Sequence, residues 1–347
     1  MVGYGSVDSE ERDQAPRTRR ASEVKSRPVE WLWADRIPRG KLTLLDGDPG
    51  TGKTTVLLDL AARVSRGLPM PGETNGRERE PASVLYLSAE DDEGDTLRPR
   101  LEAAGADLER VRFWGEAALP SLPEDSHVLG QLIVSHDVKL VVLDPVGPFL
   151  NEKVNTNRDA NVRRAFSPLR DVCEFTGAAC VLIRHLNKDG RSSNPLYRGG
   201  GSIAFMAVAR SAFLAASDPD DTDRFVLAHT KSNIGRRVRS LAYCLKPVSV
   251  PNAGEQVHVK WLGESDLNAT DLLGPARHGR SAARGECQSW LAAELANGAA
   301  VARTRIIEMA SKRGWSESMV KRVFREDLGG VPERENRPQG GTRWSLP

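Results

Sequence analysis

Through residues 28–265 short apolar runs alternate with longer stretches whose apolar positions recur at helical spacing. Ser83-Val84-Leu85-Tyr86-Leu87, Leu140-Val141-Val142-Leu143 and Ala179-Cys180-Val181-Leu182-Ile183 are almost unbroken by polar residues. Continuous apolar runs of strand length, separated by helices, predict strands buried on both faces of a parallel sheet. The fold class expected is α/β, a mostly parallel sheet covered by helices on both sides.

The flanks follow other patterns. Residues 1–27 mix charges, as in Asp8-Ser9-Glu10-Glu11-Arg12-Asp13 and Arg17-Thr18-Arg19-Arg20. With few large apolar side chains such a segment buries too little surface to order itself, so a disordered arm is expected. Residues 266–281 are rich in Gly, Pro and small polar residues and read as a linker. In residues 282–347 apolar positions recur at helical spacing over 286–296 and 304–312. Gly314 interrupts the pattern and Ser316 offers an N-cap for a third helix running to Leu328. Helix, glycine turn and helix predict a small helix-turn-helix domain. The tail, with Arg334, Arg337, Gly340-Gly341 and Arg343-Trp344, could fold as a wing, which makes the unit winged-helix-like.

Composition narrows the classes. A chain of 347 residues, 39% hydrophobic and 28% charged, can build one sizeable core plus one or two smaller units. No stretch approaches the ~20 apolar residues that cross a bilayer. The first residues carry charge where a signal peptide is apolar, so a cytoplasmic protein without a membrane partner is expected. The four cysteines, Cys173, Cys180, Cys244 and Cys287, lack C-x-x-C spacing and read as buried thiols. The formal charge of +2 is nearly neutral, so any nucleic-acid contact must come from local patches. One such patch is residues 276–347, where thirteen Lys and Arg oppose eight Asp and Glu. Lys321, Arg322 and Arg325 are expected on the exposed face of the third helix, in reach of duplex DNA phosphates. The same unit could instead pack on the rest of the protein or on a partner.

The sharpest chemical signal is Gly47-Asp48-Pro49-Gly50-Thr51-Gly52-Lys53-Thr54-Thr55, which matches G-x-x-x-x-G-K-T after an apolar strand and before an amphipathic helix. Glycines let consecutive backbone N–H groups turn toward phosphates, and the helix presents its positive end to the same anion. Residues 47–55 therefore predict a nucleoside triphosphate site, with ATP the default, where Lys53 reaches the outer phosphates and Thr54 gives a hydroxyl to Mg2+. Lys139-Leu140-Val141-Val142-Leu143-Asp144 ends a buried strand in an acid, the pattern of a second Mg2+ residue; alone, such an Asp is as often a turn or helix cap. Glu90, in Leu87-Ser88-Ala89-Glu90-Asp91-Asp92, follows another strand and is placed to orient the attacking water. Asp91 and Asp92 fit the alternative, acids at a helix N-terminus.

The order of phosphate loop, Ser88-Ala89-Glu90-Asp91, Val142-Leu143-Asp144-Pro145 and Ile183-Arg184-His185-Leu186-Asn187-Lys188 resembles the RecA-like ATPases of the RepA-type replicative helicase group found on plasmids and phages. Trp31-Leu32-Trp33 and Ile37-Pro38-Arg39-Gly40-Lys41 extend the likeness upstream, to residues 30–262. The resemblance implies a ring homo-oligomer, a hexamer, that hydrolyses ATP with Mg2+ while moving along DNA. It makes Glu90 the catalytic acid and His185 the group that senses the γ-phosphate. The loop after His185 would line the ring channel, with Lys188, Arg191 and Arg198 on single-stranded DNA. Arg210 falls where the group carries an arginine finger acting on the neighbouring subunit. Lys231, in His229-Thr230-Lys231-Ser232-Asn233, resembles a second finger, although Asn233 stands where some relatives carry Arg. The activity expected is that of a DNA helicase or translocase; a RecA-like recombination or repair ATPase and an ATP-gated DNA-binding regulator are the alternatives.

Overall fold

The computed structural model describes residues 18–73, 79–116, 118–186, 204–219, 221–273, 280–296, 300–315, 317–334 and 342–346. A two-stranded hairpin, β1 (Trp31–Trp33) and β2 (Ile37–Pro38), precedes the central sheet. Six strands of that sheet are mutually parallel: β3 (Leu42–Gly47), β4 (Ser83–Ser88), β5 (Val111–Arg112), β6 (Val138–Asp144), β7 (Ala179–His185) and β8 (Ser211–Asp218). The sheet continues antiparallel through β9 (Asp221–Ser232), β10 (Ser240–Val250) and β11 (Gly254–Ser265), giving the order β11-β10-β9-β8-β3-β7-β6-β4-β5. The expected mostly parallel α/β core is present. β7 lies between the phosphate-loop strand β3 and the Asp144 strand β6.

Strand alternation divides the core in two. Leu45, Tyr86, Val142 and Val181 belong to the cluster under α1 (Lys53–Arg66) and α2 (Arg98–Ala103). Leu44, Leu85, Leu87, Val141, Leu143 and Leu182 belong to the opposite cluster. The latter is closed by α3 (Ser126–Ser135), α4 (Asp159–Thr176) and α5 (Ala204–Val208) through residues such as Ile133, Phe166 and Phe205. Unbroken apolar runs are thus explained: each alternate residue meets a different helical layer.

Residues read as a linker include α6 (Ala269–Leu273), whose Leu272 and Leu273 pack on buried Leu186 and Leu214. Beyond it lie α7 (Arg280–Leu295), β12 (Val301–Ala302), α8 (Arg303–Lys312), α9 (Glu317–Arg322), β13 (Val331–Arg334) and β14 (Thr342–Ser345). The three strands form a small antiparallel sheet ordered β12-β14-β13. Cys287, Leu291, Ile306, Val323, Phe324 and Trp344 make a separate core, with Phe324 and Trp344 stacked at 4.2 Å between centroids. The expected continuous third helix is shorter than read: α9 ends at Arg322 and passes into a π-helical turn, Val323–Asp327. No helix among the described residues is long and apolar enough to cross a membrane.

Candidate active site

The phosphate loop joins β3 to α1 at the carboxyl edge of the sheet, where ligands of open α/β sheets collect. Its shape depends on glycine at two points. A Cβ on Gly47 would lie 2.4 Å from the Ala215 carbonyl oxygen, and Gly52 caps α1 with φ +76. Lys53 is only 5% exposed, and its Nζ donates to the carbonyls of Gly47 at 2.9 Å and Asp48 at 2.8 Å. Burial lowers the ammonium pKa, which the carboxylates of Asp144 and Asp48 oppose. A buried cation at the N-terminal end of α1 is suited to phosphate oxygens.

The neighbouring strands bring the remaining groups to the same edge. Thr54 Oγ1 donates to Asp144 Oδ2 at 2.7 Å, joining α1 to the end of β6. Asp144 is 5% exposed; burial raises its carboxyl pKa, while the hydroxyls of Thr54 and Tyr86 lower it. An oxygen-only pair of one hydroxyl and one carboxylate fits Mg2+, which keeps several waters and takes its other ligands from phosphates. Among the described residues no group of three or more His, Cys, Asp and Glu competes for a metal.

His185 ends β7 directly beside Gly47 in the parallel ladder. Its Nε2 stands 3.7 Å from Glu90 Oε2, and its buried Nδ1 has no hydrogen-bond partner among the described residues. Glu90 is solvent-accessible, with 61% of its side chain exposed, just past β4. Asp92 follows the alternative reading of that segment: its carboxylate accepts from the backbone N–H groups of Gly94 and Asp95. Lys53, Thr54, Glu90, Asp144 and His185 therefore lie on one rim, which also carries Asp48, Pro49, Gly50, Thr51 and Thr55.

The AAA domain family matches residues 9–191, more than half of the chain. The chain belongs to the AAA domain family. It is a RecA-like P-loop ATPase. It is 26% identical to the DNA repair protein RadA of Halalkalibacterium halodurans over 187 residues, which are 53% of this chain and 35% of the relative. Identity to RadA of Mycobacterium tuberculosis is 28% over 46% of this chain and 30% of the relative. Identity to RadA of Mycolicibacterium smegmatis is 30% over 45% and 30%. The chain thus spans about a third of the length of the relatives it matches.

In this P-loop ATPase the two finger candidates occupy the opposite end of the sheet. The Arg210 N–H donates to the Leu42 carbonyl at the start of β3, while the phosphate loop begins at Gly47. Five residues of strand separate the two ends by roughly 17 Å, beyond the reach of an arginine. Lys231 lies beside Ala212 at the same end, where its ammonium donates to the carbonyls of Met206 and Ala209 and closes the end of α5. Burial, followed by the nearby charges of Arg210 and Arg163, lowers its pKa. Lys188, Arg191 and Arg198 lie outside the described residues.

Of the three C-terminal cations, Arg325 is exposed as expected and Lys321 half-exposed, while Arg322 departs from the expectation. Arg322 is buried rather than exposed, at 2% of its surface, and its Nη1 bonds both Asp218 oxygens at 3.1 and 3.2 Å. Arg325 meets Asp266 at 3.1 Å and Lys321 meets Glu317 at 2.8 Å. The acids that neutralise Arg322 and Arg325 belong to the ATPase sheet and to the segment following it, remote in sequence.

Three contributions escaped the sequence reading. Tyr86 donates to Asp144 Oδ2 at 2.7 Å, Arg184 makes a buried bidentate pair with Asp46 at 2.8 and 2.9 Å, and the Tyr243 hydroxyl bonds the Thr51 carbonyl at 2.5 Å. The available signal was a single polar group inside each apolar strand, since a buried hydroxyl or charge requires a partner.

Proposed function

We propose that this chain is a DNA-dependent ATPase of the recombination and repair kind, which uses Mg-ATP hydrolysis to act on single-stranded or duplex DNA. The observation that carries it is the convergence of Lys53, Thr54, Asp144, Glu90 and His185 on one rim, in a chain whose relatives are DNA repair proteins. In this reading the loop amides and Lys53 bind and align the β- and γ-phosphates. Thr54 and Asp144 hold Mg2+, which neutralises charge that develops on the phosphate oxygens. Glu90 orients the attacking water, and His185, within reach of both Glu90 and the loop, registers whether the γ-phosphate is present.

Arg210 would complete the site of a neighbouring copy. Its position at the far end of β3 excludes its own phosphates and supports action across an interface, as in a ring or filament. Lys231 would hold α5, and through it the adjacent Arg210, rather than reach phosphate itself.

A second reading, a RepA-type hexameric helicase replicating a mobile element or phage, is favoured by the C-terminal unit. Its three helices and β12-β14-β13 sheet fit a winged helix and lie beyond the residues matched to the family. One experiment serves both readings: ATP turnover with and without single-stranded DNA, and with a forked duplex, compared with Lys53→Ala. We expect turnover stimulated by DNA and lost in Lys53→Ala. Strand separation would select the helicase, turnover without separation the repair ATPase, and turnover indifferent to DNA would overturn both.

A further inference from the structure

Tyr86 has a role that the motifs leave unassigned. It lies in the middle of β4, fully buried, and pairs in register with Val142 of β6, two residues before the pair Ser88 and Asp144. Strand alternation places Tyr86, Val142 and Asp144 on the face covered by α1. The tyrosine ring is fixed among apolar neighbours including Leu57, Val84 and Leu140. Its hydroxyl is consequently held at one place in the core and donates to Asp144 Oδ2 at 2.7 Å.

The carboxylate is held by two donors on one oxygen. Thr54 Oγ1 reaches the same Oδ2 at 2.7 Å, and neither donor engages Oδ1. Thr54 is itself a Mg2+ candidate, so its hydroxyl serves the metal as well as the carboxylate. Tyr86 has no such second duty. The Asp144 main chain is tied to the same strand end, because the Ala89 N–H donates to the Asp144 carbonyl at 2.9 Å. β4 thus constrains both main chain and side chain of Asp144, and Glu90 follows one residue after Ala89. A phenylalanine would fill the same core space without a hydroxyl, so packing alone does not call for tyrosine here.

We propose that Tyr86 is the positioning residue of the metal site, fixing the rotation of the Asp144 carboxylate whose Oδ1 neither donor engages, so that the carboxylate would be oriented to help hold Mg2+. Partners of metal-binding carboxylates orient them, and their loss typically weakens metal binding 10- to 100-fold. The proposal rests on the Mg-ATP reading above.

The test is binding of a fluorescent ATP analogue titrated with Mg2+, measured on the full chain and on Tyr86→Phe, Asp144→Asn and the double variant. Wild type should bind more tightly as Mg2+ rises, and Asp144→Asn should lose much of that gain. Tyr86→Phe should bind the Mg2+-free analogue like wild type but need roughly tenfold more Mg2+ for half of the gain. In the Asp144→Asn background Tyr86→Phe should add no further shift. An unchanged Mg2+ requirement in Tyr86→Phe, or an equal further shift in the Asp144→Asn background, would overturn the proposal and leave the hydroxyl a satisfied core group. No Mg2+ effect in the wild type would instead defeat the Mg-ATP reading.

Discussion

The ATPase core and the C-terminal unit both present functional groups at helix and strand ends, yet they treat charge in opposite ways. In the core, Lys53, Asp144, Glu90 and His185 converge on a rim with hydrogen-bonding capacity left to offer: His185 Nδ1 lacks a partner among the described residues and Glu90 faces solvent. At the face between the C-terminal unit and the core, charges are instead neutralised within the protein, cations of the unit by acids of the core and an acid of the unit by a cation of the core. Arg322 and Asp218 form a buried pair, flanked by Arg224 with Glu326 at 2.8 Å and Arg325 with Asp266 at 3.1 Å. A basic helix face therefore need not be a DNA face; two of its arginines meet acids of the core, and its own Glu326 meets Arg224 of β9.

Substitutions in the two regions should have unequal effects. The largest effect is expected at Lys53: Lys53→Ala removes one phosphate donor and should lower kcat/KM for ATP about 100- to 1000-fold, with the melting temperature nearly unchanged. If the melting temperature falls with activity, Lys53 is a structural cation like those of the C-terminal unit. Next comes Asp218→Ala, which strands Arg322 in the interior and should cost about 3 kcal/mol in urea unfolding. The cost falls at the low end for a broken buried pair because Glu326 remains 3.8 Å from Arg322. Protease release of the C-terminal unit should accompany it while ATP binding persists; joint loss of both would mean that the two regions are one cooperative unit.

His229 provides a comparable effect through pH. Burial and the charge of Arg36 lower its pKa to about 4 from the ordinary 6.5, and its Nδ1 accepts from the Val238 N–H while its Nε2 meets the Ser211 hydroxyl. The folded state favours the neutral ring, so this stability is complete above pH 6.5 and disappears as pH falls toward 4. The loss should be about 3 kcal/mol, read as a steep decline of unfolding free energy over that window that His229→Gln flattens. The smallest change is expected at Lys321, whose pair with Glu317 is accessible: Lys321→Ala should shift stability by less than about 1 kcal/mol. A clear fall in duplex affinity for this variant would restore the helix as a DNA contact.

Much of the core was legible because its signals are local. The phosphate loop places its donors within nine consecutive residues, and Glu90, Asp144 and His185 each close an apolar run that alternation buries on both faces. The parallel sheet follows from those same runs. What stayed hidden depends on long-range pairing. Asp46 and Arg184 are 138 residues apart in sequence, Asp218 and Arg322 are 104 apart, and Asp266 and Arg325 are 59 apart. Local charge counts identify Arg322 as basic but contain nothing about the acid that buries it. Tyr86 was hidden for a related reason, since its partner lies on the adjacent strand and only the register of β4 against β6 brings them together.

With the phosphate loop at one end of β3 and Arg210 at the other, the proposed hydrolysis site is one shared between copies. Mixing Arg210→Ala chains with Glu90→Gln chains tests this most directly, because each variant alone should be nearly inactive. Interfaces that join an intact Glu90 to an intact Arg210 would form in the mixture, and ATP turnover should recover to a substantial fraction of the statistical expectation. No recovery at any ratio, with both variants still folded and binding nucleotide, would contradict the shared site.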